Sequence, residues 1–312
     1  MNKQTKILGG LYGSLVGDAL GVPVEFKSRR ARDKDPVVDM RSYGTHGQPK
    51  GTWSDDGALI LCSVESLINC PQFDVEDMGK RFVQWYIKGL WTTDGNVFDI
   101  GFATRRALNQ IALGAPAKDA GGWVEEDNGN GSLMRILPIQ LASLDVEVDE
   151  FIQRTYEASA ITHRHVRSQL ACLFHGLFVR QLMYGMIAED ALKIVQTIFP
   201  NTCSDAVELE RFKHLLSPEF SEISVENISS SGYVVDTLSA AIWCLLNTKS
   251  YAECVLKAVN LGDDTDTTAC VAGGLAGILY GVDSIPGEWK SSLPRQNDLT
   301  ELFSSFIAKL NC

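Results

Sequence analysis

The sequence predicts an all-helical protein, and three observations predict it. Apolar residues recur at three- and four-residue steps in 59–69, 77–90, 101–113, 168–187, 234–247, 251–260 and 268–280, which is the period of an amphipathic helix. No run of alternating apolar and polar residues marks a strand. Glycines stand four apart at Gly9, Gly13, Gly17 and Gly21, and again at Gly273, Gly277 and Gly281, so each set lies along one helix face. An interior glycine costs a helix roughly 1 kcal/mol relative to alanine, so something must offset each row. Either these two helices pack tightly in the ordinary way, or they cross each other or flank the site and bring distant segments together. A membrane role for the spacing is excluded by Asp18 and by length.

The helical segments are separated by turn-rich stretches at 27–57, 91–97, 114–132 and 200–232. Dense apolar sequence resumes after each, so none reads as a domain linker. A single domain over 1–312 is expected, with function carried on the loops. The stretch 200–232 is open to being an insertion or a flap. A chain of 312 residues, 45% of them hydrophobic, suffices for a large core. No stretch of about 20 apolar residues stands out, so no membrane span is expected. The start, Met1 to Lys6, lacks the pattern of a secretory signal, so a cytoplasmic protein is expected. The eight cysteines are scattered without a C-x-x-C pair, which suggests buried thiols and not disulfides or zinc ligands. A net charge of −11 argues against nucleic acid or a membrane surface as partner. An anionic substrate would call for bound cations.

Along the chain, the first chemical segment is Gly17-Asp18-Ala19-Leu20-Gly21-Val22-Pro23-Val24-Glu25-Phe26. A helix stops near Gly21, and Glu25 is left among apolar neighbours. It is either a partly buried acid with a raised pKa or a side chain in solvent. Next come Ser54, Asp55 and Asp56 at the start of a helix. They pair with a second acidic cluster far away, Asp263, Asp264, Thr265, Asp266, Thr267 and Thr268. Capping explains one Asp at a helix start, but not three Asp and three Thr in six residues. The clusters offer hard oxygens only, which suits Mg²⁺ or Mn²⁺ better than Zn²⁺. With so many carboxylates, two ions roughly 4 Å apart become plausible.

Asp99 lies between apolar residues at a helix start. It either caps the helix or pairs with a cation such as a guanidinium. Asn128-Gly129-Asn130-Gly131-Ser132-Leu133-Met134 either makes plain turns or forms a nest of N–H groups for a phosphate. In Thr162-His163-Arg164-His165 the two histidines would face different sides of a helix. One could donate to a phosphate while the other sits at the surface. Tyr233, after a Ser-Gly run, either stacks on a base or packs at a helix entry.

Taken in this order, GDALGVPVEF, GTWSDDG, DIGFATRRAL, GNGSLMRILPI, THRH, SGYVVDTL and GDDTDTTA resemble the ADP-ribosylglycohydrolase family, over about residues 6 to 282. The resemblance implies an orthogonal helical bundle with a binuclear Mg²⁺ or Mn²⁺ site. The metal ligands would be Ser54, Asp55, Asp56, Asp264, Asp266 and Thr267. Ser54 stands where the family usually has Thr, and Gly57 where Thr or Ser is common. Asp263 replaces a frequent Gly and is expected outside the ligand set.

By the same resemblance Glu25 matches the acid on a mobile active-site segment. Asn128, Gly129, Asn130, Gly131, Ser132 and Met134 fall on the diphosphate cradle. Tyr233 is a candidate adenine partner, His163 a phosphate or ribose contact, and Asp99 the acid that meets an arginine guanidinium. Glu25, Asp55, Asp99 and Asp266 are the expected catalytic set. The implied reaction is hydrolysis of the bond between ADP-ribose and a modified protein side chain, most readily arginine, by a monomer that releases ADP-ribose. Alternatives are a serine or ester linkage, a protein that neutralises an ADP-ribosyltransferase toxin by docking, or a structural protein that kept the fold.

Overall fold

In the computed structural model, which describes residues 1–311, six of the helices begin where a side chain satisfies their first N–H groups. Asn2 accepts from Thr5 N at 2.7 Å and opens α1 (Lys3–Gly21). A short helix α2 (Arg29–Lys34) follows. Ser54 accepts from Asp56 N and opens α3 (Asp55–Asn69), while Asp74 accepts from Glu76 N and Asp77 N and opens α4 (Val75–Lys88). Then come α5 (Phe102–Ala112), α6 (Ala117–Ala120), α7 (Leu137–Ala142), α8 (Val148–Ala160), α9 (Val166–Met183), α10 (Ala188–Ile198) and α11 (Ala206–Glu210). The chain ends with α12 (Val234–Leu246), α13 (Tyr251–Asn260), α14 (Thr265–Tyr280), α15 (Gly287–Ser292) and α16 (Gln296–Lys309). Besides short 3-10 turns, only isolated bridges occur among the described residues, so the class is all-α. Nine of these helices lie outside the segments whose periodicity stands out in the sequence: α1, marked there by its glycine row, and α2, α6, α7, α8, α10, α11, α15 and α16.

The centre is an antiparallel pair, α1 against α14. A Cβ on Gly9 would overlap the Gly277 carbonyl, one on Gly13 the Gly273 carbonyl, one on Gly17 the Ala269 carbonyl, and one on Gly21 the backbone of Asp266. The glycine rows therefore form a seam of backbone on backbone, which offsets their poor helix propensity with close dispersion contact. Tyr251 closes the seam by donating to Gly13 O at 2.8 Å. The seam also brings the C-terminal end of α1, with Asp18, to the N-terminal end of α14, with Asp264 and Asp266.

The helix running Lys3–Val24 is long and apolar enough to cross a membrane, which the sequence reading passed over. Its most apolar window is 89% buried inside the fold, and here it is the core helix. Around the pair, one continuous apolar cluster runs from Ile7 to Ile307. The stretch 200–232 holds the short helix α11 and a series of turns, and its Phe212, Leu215 and Phe220 are fully buried. Arg29 donates to Val225 O and Ile228 O, and Arg167 binds Glu208 at 2.9 Å, fastening the stretch to the body. The seven cysteines among the described residues are all free.

Candidate metal and substrate site

Two helix N-termini and one helix C-terminus converge on a single cleft of about 430 Å³. Asp55 and Asp56 enter it from the first turn of α3, and Asp264 and Thr267 from the start of α14. Thr267 Oγ1 lies 3.4 Å from Asp56 Oδ1, so the two acidic clusters, remote in sequence, share one wall. Asp266 lies beneath with no exposed surface, and its Oδ1 accepts from Thr267 N at 2.9 Å. Ser54 caps α3, and the side chain of Asp264, the residue before α14, makes no cap. Asp263 is exposed and outside the cluster.

Oxygen atoms without donors mark what the site is built for. Asp56 Oδ2, Asp264 Oδ1 and Asp266 Oδ2 are inaccessible and unpartnered. Unsatisfied buried carboxylate oxygens are costly. No Lys or Arg forms an ion pair with Asp55, Asp56, Asp264 or Asp266 among the described residues; the dipoles of α3 and α14 alone offset their charge in part. Burial first, and then mutual repulsion, raises the pKa of Asp55, Asp56 and Asp266 well above the usual range. Burial also raises that of Asp264, against a hydrogen bond from Asn130 that lowers it. A hard divalent cation would satisfy these oxygens and remove the repulsion, so the donor set fits the expected metal.

Asp18 is a site residue that motif reading missed. It is fully buried, and its carboxylate accepts from Ser54 N at 3.0 Å and from Gly57 N at 2.8 Å. It thus fixes the turn that presents Asp55 and Asp56, and burial pushes its pKa up to about 7. The signal was a lone Asp in the apolar face of a glycine-rich helix. Gly57 has its own reason: a Cβ there would lie 2.7 Å from Trp53 Cβ, so the buried Trp53 ring requires glycine.

Glu25 resolves as a buried acid, 3% exposed. Its pKa is pushed up to about 10, first by burial and then by Asp99 and Asp264. It is hydrogen-bonded to His46 Nε2, a second residue that the sequence did not single out, since His46 lies in a turn-rich stretch without a motif. Asp99 does not cap α5, whose N-cap is Gly101. Its backbone is left-handed, φ 56°, which turns the side chain into the cleft, and burial raises its pKa.

The Asn-Gly loop lines the opposite wall, but not as a left-handed nest: neither Gly129 nor Gly131 has positive φ. A Cβ on Gly131 would lie 2.8 Å from His163 Cε1 and 3.1 Å from Thr104 Oγ1, so its smallness makes room for the imidazole. Gly129, Asn130, Gly131 and Met134 face the cleft. Asn128 and Ser132 turn their side chains away, onto Glu125 O and Ser168 in one case and onto Cys172 and Ser159 in the other.

His163 and His165 do not share a helix, contrary to expectation. His163 lies in the turn before α9 and His165 is its N-cap. His163 is buried, lines the cleft and contacts Thr162 Oγ1 at 2.9 Å. Burial first, then Arg135, lowers its pKa to about 3, so it faces the cleft neutral. Tyr233 opens α12 and lines a neighbouring groove with Arg211 and His214, with the Arg167 guanidinium 5.9 Å from its ring. The adjacent Gly232 lines the cleft.

A cleft with five carboxylates lining one end, Asp266 beneath them, and a neutral histidine and glycine loop at the other end, in an all-helical frame, is a site that could hold a hard cation beside an anionic ligand. A sequence profile of the ADP-ribosylglycohydrolase family matches residues 1–311, and the chain belongs to that family. It is 34% identical over 301 residues to ADP-ribosylarginine hydrolase Tri1 of Serratia proteamaculans, covering 95% of this chain and 77% of the relative. It is 33% identical over 295 residues to the ADP-ribosyl-dinitrogen reductase glycohydrolase of Rhodospirillum rubrum, covering 92% and 90%. A solved structure described as an ADP-ribosylglycohydrolase-related protein complex superposes with a TM-score of 0.79 at 29% identity, over 99% of both chains.

Proposed function

We propose that the protein hydrolyses the N-glycosidic bond between ADP-ribose and an arginine side chain of a modified protein, with two Mg²⁺ or Mn²⁺ ions held by Ser54, Asp55, Asp56, Asp264, Asp266 and Thr267. The observation that carries it is the convergence of unpartnered oxygens of Asp56, Asp264 and Asp266 on one cleft wall. The names of the Serratia and Rhodospirillum relatives support the substrate class. Bound divalent cations would supply positive charge for the distal ribose hydroxyls and ease deprotonation of water.

The chain's own residues divide the remaining work. The Gly129–Gly131 loop and His163 would receive the diphosphate, with Nε2–H of the neutral imidazole as donor. Tyr233 would stack on adenine from the neighbouring groove. Asp99, at the acidic end, would orient the guanidinium. The C1″–N bond breaks with oxocarbenium character, its electron pair leaving on the guanidine, as in other glycosyl transfers. The attacking water bonds to C1″ and gives one proton to a carboxylate at the metal-holding end of the cleft, Asp55 or Asp56, which both line it. The guanidine takes up a proton and leaves as guanidinium, so charge and atoms balance.

The test is release of arginine from ADP-ribosyl-arginine with and without EDTA. Chelation should abolish turnover and Mn²⁺ restore it. Turnover indifferent both to EDTA and to Asp266→Ala would remove the metal reading.

A further inference from the structure

We propose that His46 is a positioning residue that sets the preference for a guanidine leaving group, by holding Glu25 and Asp99 as a two-carboxylate clamp. This rests on the arginine reading above and deepens it.

Three separate segments meet at this imidazole. Glu25 follows the turn Val22–Val24, His46 ends the turn Gly44–His46, and Asp99 precedes α5. His46 Nε2 is bonded to Glu25 Oε2 and lies 3.9 Å from Asp99 Oδ1. The three side chains are 14%, 4% and 18% exposed. Among the described residues, His46 is the one basic side chain in ion-pair reach of either acid. Glu25 and Asp99 also share a hydrogen bond, and without His46 that bond alone would set their separation.

The surroundings hold this arrangement against strain. Phe26, Tyr43 and Asp99 have left-handed backbones, with φ of 61°, 64° and 56°. Each such backbone is unfavourable for a residue with a side chain and persists only where neighbours enforce it. Thr45 Oγ1 donates to Glu25 O at 2.8 Å, tying the His46 turn to the Glu25 segment. Gly44 packs its backbone on the Pro23 carbonyl, where a Cβ would overlap it. The rings of Phe98 and Phe26 lie 5.2 and 5.9 Å from the imidazole and limit its rotation.

The chemical consequence is selective. A guanidinium is planar and engages two carboxylate oxygens at fixed separation, whereas the ether oxygen of a serine linkage offers no cation to clamp. His46 therefore acts on the leaving-group end. It does not act on the diphosphate end, where the His163 and Gly131 wall lies.

The experiment uses the full chain with Mn²⁺ and the variants His46→Ala and His46→Gln. Turnover is measured on ADP-ribosyl-arginine and ADP-ribosyl-serine, ADP-ribose affinity by calorimetry, and inhibition with free agmatine as a guanidinium probe. His46→Ala should lower kcat/KM on the arginine conjugate about tenfold or more, the effect of losing a charge-assisted hydrogen bond. Agmatine inhibition should weaken in parallel, while ADP-ribose affinity stays within about twofold. His46→Gln, which keeps one N–H donor, should recover part of the loss. Equal losses on both conjugates, unchanged agmatine inhibition, or a parallel loss of ADP-ribose affinity would each overturn the clamp. If His46→Ala does not fold, the agmatine and ADP-ribose arms of His46→Gln decide by the same criteria. Failure of the wild type to release arginine at all would instead remove the underlying function.

Discussion

Single atoms decide most of the chemistry at this cleft. Asp56 Oδ2 and Asp266 Oδ2 have no partner in the protein, so Asp56→Ala or Asp266→Ala should leave the fold intact and lower turnover by more than about 100-fold, beyond the effect of removing an outer-shell partner. Thermal melting alongside kinetics checks both halves. Asp99→Ala should cost the arginine conjugate more than the serine conjugate; an equal loss would place Asp99 outside leaving-group recognition. Asp18→Asn is expected to act through structure, because an amide cannot accept from Ser54 N and Gly57 N with all the capacity of a carboxylate. A drop of about 1–3 kcal/mol in unfolding free energy should accompany reduced activity. Residue identity in the sequence pointed to Asp56 and Asp266, since clustered hard oxygens are visible without coordinates. It did not point to Asp18 or His46. One is a single acid in an apolar helix, the other a single imidazole in a turn, and only three-dimensional proximity gives either a partner.

At the scale of elements, the seam between α1 and α14 carries the site. Gly13→Ala would press a methyl group into the Gly273 carbonyl. The expected cost is about 3 kcal/mol, the upper end of overpacking, with a matching loss of metal-dependent activity because Asp18 and Asp266 move apart. Gly47→Ala, where a Cβ meets nothing within 4 Å, isolates the other glycine cost, since its φ of 66° penalises any side chain. It should be milder, about 1 kcal/mol. Urea unfolding of the two variants separates close approach from backbone strain. The helices flanking the seam were readable because their apolar period is strong. Helices α2, α6, α7, α8, α10, α11, α15 and α16 were not singled out, and of the two readings of the Asn-Gly loop the left-handed nest does not occur. There the packing of His163 and Thr104 against Gly131 decides the geometry, and local propensity for turns does not reveal it.

For the whole molecule, burial of acids links metal, proton and stability. The carboxylates at the cleft have folded pKa values above their unfolded ones, Asp18 at about 7 and Glu25 at about 10. A raised acid favours the fold at low pH and withdraws that support as pH rises through its folded value. Divalent cations compete with these protons. The rise in Tm on adding Mn²⁺ should therefore grow from about pH 5 to about pH 8, and a shift independent of pH would contradict the coupling. The buried His163 and His175 act in the opposite sense. Both are lowered from 6.5 to about 3 by burial, so their contribution is complete above pH 6.5 and is lost as acid is added towards pH 3. The all-helical class and the meeting of the two acidic clusters were legible from period and composition. The placement of Tyr233 was less so, because it lies around a corner from the main cleft.

The glycine seam has a consequence for biosynthesis. Residue 9 waits for residue 277, so everything from α1 through α14 must leave the ribosome before the apolar helix α1 finds its mate. Contacts this distant along the chain slow folding, and an uncovered segment of membrane-like hydropathy is the kind of surface that chaperones shield and that aggregates when they do not. A nascent chain stalled before α14 emerges should expose α1 to protease, and one stalled beyond it should protect it.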